Sequence, residues 1–141
     1  MKKIAILVIE DNRLLRDGIT VILKKEPDMH VVGTVGNGEN ILLMLEKVKP
    51  NIILLDLGLR NQNSLQIVNL TTKHFPETKI IVMDLIPLQS DVFEFIEAGV
   101  SGFILNDASI TEFLKTIRLV SQGARVLPPV PSQNLIRANN S

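Results

Sequence analysis

The chain of 141 residues contains no cysteine, no tryptophan and no tyrosine. Without cysteine there is no disulfide, no thiolate metal centre and no cysteine nucleophile. An excess of either charge is also missing: 15 Lys and Arg stand against 15 Asp and Glu. A broad electrostatic grip on nucleic acid or on an anionic membrane is therefore not expected. Long apolar runs are absent as well. The opening Met1-Lys2-Lys3 followed by Ile4 to Ile9 superficially resembles a signal peptide, but the run stops at Glu10-Asp11 and is too short for a signal core. No stretch approaches the roughly 18 apolar residues of a membrane span. A cytoplasmic protein with no membrane contact is the expectation.

What is present suffices for a core. Hydrophobic residues make up 45% of the chain, which excludes a disordered polypeptide and suits one domain. Short apolar runs alternate with stretches of helical period. Ile4 to Ile9, Asn51 to Leu55 and Lys79 to Met83 read as strands buried on both faces. His30 to Val35 and Gly102 to Leu105 add two more. Helices are predicted over Asp11 to Glu26, from Ile41 to Lys49, over Ser64 to Phe75, near Gln89 to Ala98, and after the capping box Ser109-x-x-Glu112. Gly99 and Gly123 stand where helices end. Strict alternation with helix-length crossovers predicts a doubly wound α/β fold, a (βα)5 unit around a five-stranded parallel sheet. The folded domain is expected over 1–123. Residues 124–141, with Pro128, Pro129 and Pro131 and no acid, read as a linker or tail.

In such a sheet ligands bind beyond the carboxyl ends of the strands. Glu10 and Asp11 follow the first strand, Asp56 the third, Asp84 the fourth, and Asn106 and Asp107 the fifth. Crowded carboxylates raise one another's pKa. A hard divalent cation relieves the conflict, and Mg2+ favours carboxylate oxygens. The pattern predicts an Mg2+ site with Asp56 nearest a ligand. Plainer roles exist for each acid: Asp11 as a helix cap, Asp56 as a turn residue, Asp84 as the start of a solvated loop. His30 and His74 have no partners at metal-ligand spacing and read as structural. Gly33 to Gly38 departs from both glycine-rich phosphate fingerprints and reads as a turn.

At these residues the chain resembles a response-regulator receiver domain of two-component signalling, most like those of NarL/FixJ-type (LuxR-like) regulators. The likeness rests on Ile6-Leu-Val-Ile-Glu10-Asp11-Asn12, Lys49-Pro-Asn-Ile-Ile-Leu-Leu-Asp56-Leu, Phe75-Pro-Glu-Thr-Lys-Ile-Ile-Val, Ala98-Gly-Val-Ser-Gly-Phe103-Ile-Leu and Val126-Leu-Pro-Pro. It implies the flavodoxin-like strand order 2-1-3-4-5. It also implies Mg2+ at Glu10, Asp11, Asp56 and the backbone carbonyl of Gly58, with Asp56 as phosphoacceptor. Phe103 holds the aromatic switch position, and the implied partner is a histidine kinase or phosphotransfer protein. Homodimerisation is consistent with the family. DNA contact is expected only through an output domain beyond this chain.

Two active-site positions depart from the family pattern. Its Ser/Thr falls on Asp84 and its Lys on Asn106; Leu85 replaces a small residue and Arg60 a proline. An ionised Asp only accepts hydrogen bonds, and Asn carries no charge to neutralise a phosphoryl group. Together they make the pocket about two charge units more negative, each close pair being worth up to about 4 kcal/mol before screening. The alternative is a phosphorylation-independent pseudo-receiver acting as a protein-interaction module. A phosphatase using Asp56 as nucleophile would need a second acid where Gly58 stands, and no enzyme activity is expected. A flavin binder would need a phosphate loop where Glu10-Asp11-Asn12-Arg13 stands.

Overall fold

Strands that are apolar on both faces need cover on both sides, and the chain supplies it by alternation. A computed structural model describes residues 3–57, 64–85 and 92–128, except for the side chains of Asp84 and Leu85. The elements are β1 (Ile4–Ile9), α1 (Arg13–Lys24), β2 (Met29–Val35), α2 (Ile41–Val48), β3 (Ile52–Asp56), α3 (Ser64–His74), β4 (Lys79–Leu85), α4 (Val92–Glu97), β5 (Gly102–Leu105) and α5 (Ile110–Ser121). All strand pairs are parallel, in the order β2-β1-β3-β4-β5. This is the doubly wound fold expected, with the predicted strand order.

Side chains alternate across each strand. Leu7, Ile9, Ile53, Leu55, Ile80, Val82 and Phe103 build one core with α2, α3 and α4. Ile6, Val8, Ile52, Leu54, Ile81, Met83 and Ile104 build the other with α1 and α5. β3 is buried from end to end, and β1 and β4 are buried from Ile6 to Ile9 and from Ile80 to Met83, which is why they read as apolar runs.

Ends of elements are set by local chemistry. Asn12, rather than Asp11, caps α1: its Oδ1 accepts the Leu15 N–H at 3.0 Å. Ser109 Oγ accepts the Glu112 N–H at 3.1 Å at the start of α5, as its sequence spacing predicts. Gly99 and Gly123 adopt φ of +105° and +97° beyond α4 and α5. Asn51 lies just before β3 and fastens two neighbours, accepting the Ala5 N–H on Oδ1 at 2.8 Å and the Lys79 N–H on its carbonyl at 2.9 Å. Gly33 belongs to β2, where the register with β1 slips, and a Cβ there would stand 3.1 Å from Leu7 Cδ1. The glycines at 33–38 thus serve strand and turn. Arg118 on α5 ties that helix to the α1–β2 turn through Asp28 at 2.8 Å and Glu26 at 2.6 Å.

The packed chain continues past Gly123, where the sequence placed the start of a linker. Val126 pairs in parallel with Gly102 on the outer edge of β5. Its N–H donates to Ser101 O at 2.9 Å, and its carbonyl accepts the Phe103 N–H at 3.0 Å. Arg125 Nη2 donates to the carbonyls of Ile96 and Val100, both at 3.1 Å, at the end of α4.

Candidate functional site

The register of the central strands assembles the site. Ile9 pairs with Leu55, so the next residues along, Glu10 and Asp56, lie side by side at the carboxyl ends of β1 and β3. Both continue the alternation that faces α1 and α5. Asp56 closes β3 within the strand rather than starting a turn, and pairs with Met83 of β4. Asp84 follows inside β4, so it extends the strand and does not open a loop. Its side chain, Gly58 and Arg60 lie outside the described residues.

Glu10, Asp11 and Asp56 each bring a carboxylate oxygen within 4.8 Å of the others. Glu10 is 1% exposed and Asp56 is 5% exposed. Two nearly dry carboxylates with a third beside them cannot all hold charge cheaply. Glu10 carries the consequence: burial first, then a hydrogen bond shared with Asp56, pushes its pKa up to about 8, with the Asp56 and Asp11 charges adding to the rise. The Asn12 N–H, donating to Glu10 Oε1 at 3.1 Å, works the other way. Oε2 is buried and meets no donor among the described residues. A hydrogen bond to Asp56 exists only while the two share a proton; once both ionise, acceptor faces acceptor. An orphaned buried oxygen amid three convergent hard-oxygen donors fits a divalent cation. The cluster is thus competent to hold a metal ion.

Three residues that sequence reasoning did not single out position this cluster. Arg16 Nη1 donates to the Glu10 carbonyl at 2.8 Å, one turn into α1. Buried Ser64, opening α3, donates from Oγ to the Asp56 carbonyl at 3.1 Å. The Leu57 N–H donates to Met83 O at 3.2 Å, holding the backbone just past Asp56. Arg16 had a faint signal in its position on the first turns of a helix starting at the acid pair. The other two had none.

The remaining predicted positions sit as follows. Asn106 is exposed in the turn after β5, and Asp107 is exposed beside it. Phe103 is buried in β5 among the residues facing α2 to α4. Neither histidine joins the acid cluster.

The family model for the response regulator receiver domain matches residues 6–118. The chain belongs to that family. This receiver is 30% identical over 135 residues to the transcriptional regulatory protein DegU of Brevibacillus brevis, covering 96% of this chain and 57% of DegU. It is 31% identical over 140 residues to the nitrate/nitrite response regulator NarL of Escherichia coli K12, covering 96% of this chain and 64% of NarL. The receiver thus spans about three-fifths of the length of these curated relatives. A LuxR-family two-component response regulator from an Aurantimonas species superposes with a TM-score of 0.85 at 17% identity, over 99% of this chain and 100% of that one. The isolated receiver domain of RcsB from Salmonella enterica serovar Typhimurium, solved in the presence of phosphomimetic BeF3-, gives 0.78 at 18% identity over 90% and 94%. At those identities the likeness establishes the fold. Among the described residues, no helix is long and apolar enough to cross a membrane.

Proposed function

We propose that Asp56 accepts a phosphoryl group from a histidine kinase or phosphotransfer protein, with Mg2+ held by Glu10, Asp11, Asp56 and the Gly58 carbonyl. The observation that supports this most is the convergence of three carboxylates, one with an orphaned buried oxygen, at the ends of β1 and β3. Bound Mg2+ would supply the positive charge that offsets acids and phosphoryl oxygens together. The rest is done by the chain. Ser64 and the register to β4 hold the Asp56 backbone still. An Asp56 carboxylate oxygen attacks the phosphorus of the donor phosphohistidine, the P–N bond breaks with its electron pair going to the imidazole nitrogen, and an acyl phosphate remains on Asp56. The receiver is the recipient in this transfer and not a turnover enzyme. Its setting is cytoplasmic, a second copy of the chain is a candidate partner, and DNA contact is left to an output domain.

The readout is weakened. Asn106 offers no cation to pair with the phosphoryl group, and in the sequence an acid, Asp84, stands where the family pattern has Ser/Thr. The exposed, uncharged Asn106 favours a second reading, a receiver that works as an interaction module without phosphate. Intact-mass measurement after incubation with Mg2+ and acetyl phosphate separates the two. The expected result is a gain of one phosphoryl group by the parent and none by Asp56→Asn. No gain in a protein shown separately to bind Mg2+ would establish the interaction module instead.

A further inference from the structure

The last carbonyls of a helix have no partner within it, and a nearby cation favours them. α4 lacks that cation. Its last turn holds no basic residue and closes on Glu97, a charge of the unfavourable sign. Backbone bonds make up part of the deficit. The Gly99 N–H donates to Ile96 O and the Val100 N–H to Phe95 O, both at 3.1 Å, around Gly99 at φ of +105°. The cation comes from another segment. Arg125 lies beyond α5, and its Nη2 donates to Ile96 O and Val100 O, one on each side of the turn that ends α4. The next residue, Val126, is the one that pairs with Gly102. Two adjacent residues of the exit segment therefore hold different elements: Arg125 the end of α4, Val126 the border of β5. Both holds lie near the surface, Arg125 being exposed and Val126 half-buried. Contacts of this kind belong to the parts of a fold that open locally, and neighbouring contacts open together as a unit.

We propose that Arg125 is a latch between α4 and the segment that leaves the domain. The seating of the α4 end and the pairing of Val126 on β5 form one cooperative unit, joined through this side chain. A displacement of α4, whatever its cause, then loosens the exit segment and reaches the residues beyond Pro128. The latch does not rest on phosphate transfer to Asp56, and its test uses neither phosphodonor nor metal.

Amide hydrogen exchange of the full chain, resolved by NMR, reads both ends of the latch. Four amides report: Gly99 and Val100, which close α4, and Val126 and Phe103, which hold the exit segment to β5. Arg125→Ala is expected to speed exchange about tenfold at all four, while amides of β1 and β3 keep the parent rates. A second variant approaches from the α4 side. Gly99→Ala puts an L side chain at φ of +105° and its Cβ 3.3 Å from Thr72, whose atoms are the nearest ones there. It is expected to speed exchange at Val126 when Arg125 is present and to add nothing at Val126 in the Arg125→Ala background. Three results would overturn the latch. One is acceleration at only one of the two segments in Arg125→Ala. Another is an effect of Gly99→Ala on Val126 that is the same with and without Arg125. The third is equal acceleration in β1 and β3, which would make Arg125 an ordinary contributor to global stability.

Discussion

Glu10 concentrates the electrostatic strain of the acid cluster in one side chain. Its carboxyl is held near pKa 8 by burial and by Asp56, against an ordinary value of 4.5. An acid raised in this way binds its proton more tightly folded than unfolded. The unfolded chain releases the proton near pH 4.5 and the folded chain only near pH 8, so stability is full below the window, falls as pH rises through it, and levels off above. In the absence of divalent cations the loss from pH 5 to pH 8 is expected to be on the order of 3 kcal/mol. Thermal melts should show a falling Tm across that range. Glu10→Gln should flatten the fall, and Mg2+ should raise the parent's Tm at pH 8. A parent Tm that rises with pH would refute this account. Glu10, Asp11 and Asp56 were legible in the sequence because each follows an apolar run, and strand ends are where a parallel sheet presents its chemistry. Ser64 and Arg16 were not, because they act on backbone carbonyls of other segments, and no residue pattern marks such a bond. The capping role of Asn12 in place of Asp11 was hidden by their equal aptitude for it.

The elements themselves were read with few differences, and the differences have a common cause. β3 and β4 run further than apolar character alone indicates, to Asp56 and Leu85, because pairing with neighbours carries polar residues along with the strand. α4 is described only over Val92–Glu97, and the expected start near Gln89 lies outside the described residues. Packing between elements was the illegible part. Gly102 belongs to a family motif, yet its reason is tertiary: a Cβ there would meet Val120 Cγ2 at 2.9 Å and Ile81 Cγ1 at 3.1 Å, so its absence lets α5 lie close on the sheet. Gly102→Ala must push α5 outward or force rotamers in the core it shares with Val120 and Thr116. The expected cost is about 1–3 kcal/mol in denaturant unfolding, with no change in Mg2+ affinity, since the acid cluster hangs from β1 and β3. An unaltered midpoint would mean that the seam has slack.

For the whole molecule, the relevant feature is how the sheet ends. β2 forms one border and β5 the other, and the β5 border is occupied by Val126, reached immediately after the last helix. Val126→Pro deletes the N–H that donates to Ser101 and is expected to cost about 1 kcal/mol. Amide exchange at Phe103, whose N–H donates to Val126 O, should accelerate more than exchange within β1 or β3. Uniform acceleration everywhere would indicate general destabilisation instead. The same pairing bears on what happens when the polypeptide is shortened. A chain cut at Gly123 keeps β1 to β5 and α1 to α5, but leaves the Ser101 carbonyl and the Phe103 N–H without their partner. A bare strand border is a template on which another chain can add. Loss of the exit segment would thus turn a covered strand border into an adhesive one, and precipitation on standing would betray it before any melting curve did.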